Sequence, residues 1–270
     1  MDMSRSLPVL LVLMSLILGG CGWGGKANDP TIGWSAARLY KEAKEELDAR
    51  NYEQAIKLYE SLDTRFPYGR YAQQSQLEVA YAYYKTGEQA SAVAASERFI
   101  KLYPGNANID YALYIKGLAY FNEDRGIMAR LSDQDPSERD PKSSRDAFDT
   151  FRELTTKFPD SKYTPDAIAR MKYLVNALAN HEVHVARYYM RRGAYVAAIN
   201  RCQFALQNYP QSPALEEALF VMIKAYDALN MADLRDSTDK VMRTNFPNSE
   251  YFKRGLNRTA PWWKFWDPNW

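Results

Sequence analysis

Histidine and cysteine are scarce in this chain, with two of each among 270 residues. That leaves few ligands for a metal and few partners for a thiol. His181-Glu182-Val183-His184 looks like a zinc-protease helix, but its histidines are three apart rather than four, and no third ligand is evident. Asp133-Gln134-Asp135 opens like a calcium loop, yet Glu138 stands where glycine is needed and Ser144 where the closing glutamate belongs. A phosphate loop, a Gly-x-Ser-x-Gly elbow and a Cys-His pair are all missing. Paired carboxylates fall on charged helix faces, where solvation accounts for them. The chain therefore reads as a non-enzyme with no cofactor and no metal. A charge of one sign is missing too: 35 Lys and Arg are interspersed with 33 Asp and Glu, so nothing points to nucleic acid.

Long hydrophobic runs are also lacking. Leu7 to Leu18 is apolar apart from Ser15, carries Pro8, and is too short to span a bilayer. It ends in Leu18-Gly19-Gly20-Cys21, the pattern of a bacterial lipoprotein signal. Small residues admit the peptidase, and the thiol is the nucleophile that is alkylated. The alternative is an ordinary signal peptide with an incidental cysteine. On the lipoprotein reading residues 1–20 are removed, and Cys21 carries S-diacylglycerol and an N-acyl chain. Gly22 in place of Asp then implies sorting to the outer membrane, and the acyl chains hold at about 0.8 kcal/mol per buried methylene. Residues 21–34 form a tether without periodicity. Cys202 is left without a disulfide partner and reads as a small buried hydrophobe.

What is present is a repeat. Ala36, Leu39, Tyr40, Ala43 and Leu47 share one helix face, and Tyr52, Ala55, Ile56, Tyr59 and Leu62 another, across the polar turn Asp48 to Asn51. Phe66-Pro67 stops the pair. The unit is a helical hairpin of about 34 residues, the length of a tetratricopeptide (TPR) repeat. Aromatic-proline pairs recur at Tyr103-Pro104, Phe158-Pro159, Tyr209-Pro210 and Phe246-Pro247, at intervals of 37, 55, 51 and 37 residues. Ala43 and Ala55 are twelve apart, as are Ala80 and Ala92, and Ala186 and Ala198. Between Gly117 and Ala147 the spacing swells by eighteen, which marks an insertion over about Glu123 to Lys142. The fourth interval carries extra helix from about Pro165 to Asn180. The expected fold is an all-α TPR solenoid over 35–257, with units at 35–69, 70–106, 107–161, 162–212 and 213–249. A short capping helix follows from Ser249, its N-cap, to Leu256.

Twenty tyrosines crowd the chain, notably Tyr81, Tyr83, Tyr84, Tyr111, Tyr114 and Tyr120. Most pack between hairpins, and a few are expected to line the concave groove and meet peptide backbone. The tail, residues 258–270, places four tryptophans in the nine residues from Trp262 to Trp270. No helix buries that pattern on one face. It folds back on the last repeat, docks on a partner or lies at a membrane surface.

Several local runs carry a family resemblance. They are Arg65-Phe66-Pro67-Tyr68-Gly69-Arg70-Tyr71-Ala72-Gln73-Gln74, Tyr81-Ala82-Tyr83-Tyr84-Lys85, and Asn108-Ile109-Asp110-Tyr111-Ala112-Leu113-Tyr114-Ile115-Lys116-Gly117-Leu118. Arg139-Asp140-Pro141, Val185-Ala186-Arg187-Tyr188-Tyr189 and Arg192-Gly193-Ala194-Tyr195-Val196-Ala197 complete the set. Together with the Cys21 motif these resemble the BamD (ComL) family, from Cys21 to about Pro247. The tryptophan tail falls outside the resemblance. It implies a non-enzymatic lipid-anchored scaffold of five TPR units on the periplasmic face of the outer membrane. The C-terminal units would bind a POTRA domain of the barrel-forming BamA and support other Bam lipoproteins, with Arg201, Arg192 and Tyr195 as contact residues. The N-terminal units would receive C-terminal signals of unfolded β-barrel outer-membrane proteins, with Arg65, Phe66, Tyr68, Tyr71 and Tyr84 lining the groove. The repeats alone equally allow another TPR lipoprotein adaptor, a pilotin or a peptidoglycan or division scaffold.

Overall fold

The computed structural model describes residues 30–122 and 141–256. Cys21, nearly all of the insertion and the tryptophan tail lie outside them. Among the described residues all regular structure is helical, and it is arranged in hairpins. The first pairs α1 (Ala36–Asp48) with α2 (Tyr52–Arg65), and the second α3 (Arg70–Thr86) with α4 (Gln89–Leu102). The third pairs α5 (Ile109–Asn122) with α6 (Lys142–Lys157), and the fourth α7 (Thr164–Arg191) with α8 (Tyr195–Asn208). The fifth pairs α9 (Leu215–Ala228) with α10 (Ala232–Asn245), and the single turn α11 (Tyr251–Arg254) follows. Each helix packs on the next, and α1 also touches α3, α3 touches α5 and α7 touches α9. First helices thus form one row and second helices the other, as in a TPR solenoid.

The aromatic-proline pairs stop the second helices by one geometry. Phe66, Tyr103, Phe158, Tyr209 and Phe246 leave the helix at φ between −133 and −129. Each still donates its N–H to the carbonyl four residues back, from Leu62 to Met242. The proline that follows keeps that residue out of the helical region. The turn inside a hairpin has its own rule. Arg50, Gly87, Gly193 and Asn230 each stand two residues before the second helix, at φ of 66, 81, 70 and 56.

The alanines spaced twelve apart are all 0% exposed, at the crossings of first and second helices. Gly117 plays that part in the third hairpin: a Cβ there would lie 2.5 Å from the Phe151 ring of α6. Its lack of a side chain is what lets that buried ring sit against α5.

The extra helix of the fourth unit is not a separate element. It is the first half of α7, a continuous 28-residue helix. Ala167 and Leu174 belong to the core shared with α3 to α6, whereas Ala179, Val183 and Ala186 belong to the core shared with α8 and α9. One helix spans two cores, so it ties the front of the solenoid to its back. The cap is shorter than the expected Ser249–Leu256, because Gly255 at φ 67 ends it after one turn. Glu250 rather than the expected Ser249 stands at the N-cap position; Ser249, two residues before the helix, accepts a hydrogen bond from the Tyr251 N–H at 3.3 Å.

Candidate binding surfaces

The residues expected of the N-terminal groove do not form one pocket. Arg65 donates to the carbonyl and the hydroxyl of Thr31 at 2.7 and 2.8 Å, so it clasps the chain entering α1. Phe66 is half-buried against the first core. Tyr71 leans on Tyr40 with ring centres 5.5 Å apart, and the Arg70 guanidinium lies 4.8 Å from its ring centre. Tyr68, in the loop before Gly69, is 90% exposed. Tyr84 lies at the far end of α3, thirteen residues and about 20 Å from Tyr71. There it meets Tyr81, which in turn meets Tyr52. Of the five, Tyr68 presents the most accessible aromatic surface, Phe66, Tyr71 and Tyr84 are half-buried, and Arg65 is occupied within the chain.

An aromatic row continues along the first helices. Tyr163 stacks on Tyr114 at 4.7 Å and meets Tyr111 at 5.3 Å. The Tyr114 hydroxyl donates to Asp166 Oδ2 at 2.7 Å, and Arg170 pairs with the same carboxylate. Burial and then the Asp166 hydrogen bond push the Tyr114 hydroxyl up to about 12. Burial works against ionisation of Asp166, but hydrogen bonds from Arg170 and Tyr114 outweigh it and hold the carboxyl below its usual range. Lys44 and Glu78 join α1 to α3 at 3.2 Å on the same row. Sequence reasoning named Tyr111 and Tyr114 but missed Tyr163, Asp166, Arg170, Lys44 and Glu78. Asp166 and Arg170 stand one helical turn apart at the start of α7, the one local signal available.

At the other end, Arg201 is placed differently from its expected role as an arginine open to a partner. Its Nη1 is 3.1 Å from Glu182 Oε2, and Arg145 of α6 reaches Glu182 Oε1 at 3.5 Å. Glu182 is 1% exposed, while the Arg201 side chain is 45% exposed. The hydrogen bond that Arg201 donates to Glu182 holds its guanidinium above its ordinary range. The zinc-like motif thus contributes a buried carboxylate held between two arginines. Tyr195 is half-buried against the core of α7 to α9. Arg192 is exposed, with its guanidinium 5.4 Å from the Tyr188 ring centre. Tyr188 and Phe204 add exposed aromatic surface nearby in the sequence. Cys202 is fully buried, and burial pushes its thiol up to about 12, which leaves it inert.

The family model described as YfiO, outer membrane lipoprotein, matches residues 34–242. The outer membrane protein assembly factor BamD of Neisseria meningitidis serogroup B is 47% identical over 262 residues, covering 96% of this chain and 98% of the relative. The BamD of Vibrio cholerae is 38% identical over 209 residues, 77% of this chain and 87% of the relative. The BamD of Haemophilus influenzae is 33% identical over 236 residues, 87% of this chain and 88% of the relative. Among solved structures, MamA covers 84% of this chain and 98% of its own, at 15% identity and a TM-score of 0.34. The family model and the identities over most of the chain agree: the chain belongs to the BamD family, whose model is the YfiO outer membrane lipoprotein.

Proposed function

We propose that this chain is an outer-membrane protein assembly factor that works as a scaffold rather than an enzyme. The alignment with factors of that name over 96% of the chain carries the reading. Acylation of Cys21 would hold it at the periplasmic face of the outer membrane. The tyrosine-rich row of first helices suits an extended peptide with an aromatic end, since tyrosine offers apolar area and a hydroxyl for backbone groups. The front repeats would therefore receive C-terminal signals of unfolded barrel proteins, with Tyr68, Tyr71 and Tyr114 as contacts. The surface of Tyr188, Arg192, Phe204 and the exposed side of Arg201 would dock a POTRA domain of BamA, next to sites for other Bam lipoproteins. Arg201 keeps donors beyond the Nη1 that serves Glu182, so it can also meet a partner carboxylate.

A photo-crosslinking amino acid at Tyr71, set against one at Lys57 on the second-helix side, tests the peptide part. A synthetic barrel-protein C-terminal peptide is expected to crosslink several-fold more from position 71. Equal yields from both faces would remove the groove from the scheme.

A further inference from the structure

A cavity of about 300 Å³ opens between the second helices α2 and α4, with α3 as its floor. Its lining includes none of Tyr71, Tyr111, Tyr114 and Tyr163 of the aromatic row. Its polar groups are Glu60, Asp63, Gln76, Tyr83 and Arg98, and Val79, Ala94 and Ala95 form an apolar wall.

Most polar groups of this cavity are paired within the chain, whereas the buried hydroxyl of Tyr59, which also lines it, has no partner. Tyr83 donates its hydroxyl to Glu60, and Gln76 Nε2 donates to Asp63 Oδ1 at 2.9 Å. Arg98 Nη1 sits 3.1 Å from Asp63 Oδ2. The Ser75 hydroxyl donates to the Ala72 carbonyl, and that of Ser91 reaches Glu88. Two buried polar atoms of the lining residues lack a hydrogen-bond partner, the Tyr59 hydroxyl and Gln76 Oε1. Gln76 is only 5% exposed, and its Oε1 has no hydrogen-bond partner. The amide cannot be turned round to cure this, because a carboxylate accepts only from the nitrogen side. A buried acceptor without a donor is costly and calls for one. The carboxylate of Glu60 keeps further lone pairs beside the one that Tyr83 uses. Two carboxylates against one guanidinium leave the cavity one unit negative.

We propose that this cavity is a binding site for a basic side chain, arginine or lysine, presented by a partner polypeptide. The charged head would donate to Glu60 and Gln76 Oε1, and its methylene stem would lie on Val79, Ala94 and Ala95. The site shares no lining residue with Tyr71, Tyr111, Tyr114 and Tyr163, so its occupant is distinct from the peptide received there. A cavity of this size holds one side chain and a few waters rather than an extended segment.

Methyl NMR of the full-length chain in detergent, labelled at alanine and valine, tests the site with acetyl-Ala-X-Ala-amide peptides where X is Arg, Lys, Gln or Glu. Arg and Lys peptides are expected to shift Val79, Ala94 and Ala95 saturably, whereas the Glu peptide leaves them in place. Glu60→Gln, at an exposed position outside the core, is expected to weaken the Arg peptide about fivefold, and Gln76→Leu likewise. Equal responses to Arg and Glu peptides would overturn the proposal. So would an absence of methyl shifts up to on the order of 10 mM peptide, a concentration that reveals even weak sites.

Discussion

Arg201 Nη1 lies 3.1 Å from Glu182 Oε2, joining an arginine that is half in solvent to a carboxylate that is almost wholly buried. Arg145 holds the other oxygen, so one carboxylate of α7 fastens α6 and α8 together at the boundary between two cores. A buried carboxylate that loses its partners is far more costly than an exposed pair is worth. Arg201→Ala leaves Arg145 in place and should lower stability by about 1–2 kcal/mol. Arg201→Glu sets two carboxylates side by side and should cost about 3–5 kcal/mol. Thermal unfolding reads both, at roughly 2–4 °C per kcal/mol for a chain of this size. An Arg201→Glu protein melting within a degree of wild type would show that the clamp contributes nothing.

The same geometry decides how docking should be tested. Charge reversal at Arg201 mixes folding with binding, whereas Arg192 is exposed over the face of Tyr188 and Phe204 is 41% exposed, edge-on to Tyr209. Arg192→Ala combined with Phe204→Ala is expected to preserve the melting temperature and to weaken binding to an isolated BamA POTRA domain at least about tenfold. Unaltered affinity, measured by calorimetry, would put the docking surface on another part of the solenoid.

Gly117 and Phe151 make a second pair on which the fold depends. A methyl group at 117 would sit 2.5 Å from the edge of a ring that is itself 0% exposed, with no flexible end to swing away. Gly117→Ala should therefore destabilise by about 1–3 kcal/mol, although alanine is the better helix former. Adding Phe151→Leu relieves the overlap, so the double variant should lose less than the sum of the two single ones in urea denaturation. Strict additivity would mean that α5 and α6 adjust apart without strain.

The hairpins, their stops and the alanine crossings were legible because each rests on a local rule. A proline forces the residue before it out of the helix, and two helices meet closely only over small side chains. Ala43 with Ala55 and Phe66 with Pro67 carry these signals within one unit. The Glu182 clamp was not legible, since Arg145, Glu182 and Arg201 stand on three helices and resemble ordinary surface charges in the chain order. Arg65 misled for a related reason: Thr31, its partner, lies 34 residues earlier. Tyr84 and Tyr71 sit on one helix, and only the rise per residue separates them into different sites. In α7, the continuous helix from Thr164 to Arg191 hid a change of core between Leu174 and Ala179 that no polar break marks.

Alkaline pH should lower the stability of the fold, in part through the third hairpin. The Tyr114 hydroxyl is pushed up to about 12 by burial and by Asp166, so the folded state holds that proton more tightly than the unfolded chain. A raised folded value makes the contribution complete below the ordinary tyrosine value of 10 and lost as pH climbs from there through 12. Cys202 acts in the same direction between 9 and about 12. Urea midpoints should fall with pH above 10, and less steeply in Tyr114→Phe. Asp166 runs the opposite way: its depressed value contributes above 3.8 and is lost as pH falls below that. Identical alkaline slopes for wild type and Tyr114→Phe would remove Tyr114 from the account.

Arg50 stands where the second and fourth hairpins have glycine. Its φ of 66 matches the 81 of Gly87 and the 70 of Gly193, each two residues before a second helix. The left-handed region costs a residue with a Cβ about 1–2 kcal/mol, and glycine pays nothing there but loses about 0.5–1 kcal/mol of extra freedom on folding. The difference favours glycine. Arg50 is exposed, so little packing is lost with its side chain. Arg50→Gly is therefore expected to raise stability by a few tenths to about 1 kcal/mol, seen as a higher urea midpoint at unchanged slope. Arg50→Ala keeps the Cβ and serves as the control, with no gain expected. A glycine variant no more stable than the alanine one would mean that the turn carries no strain to relieve.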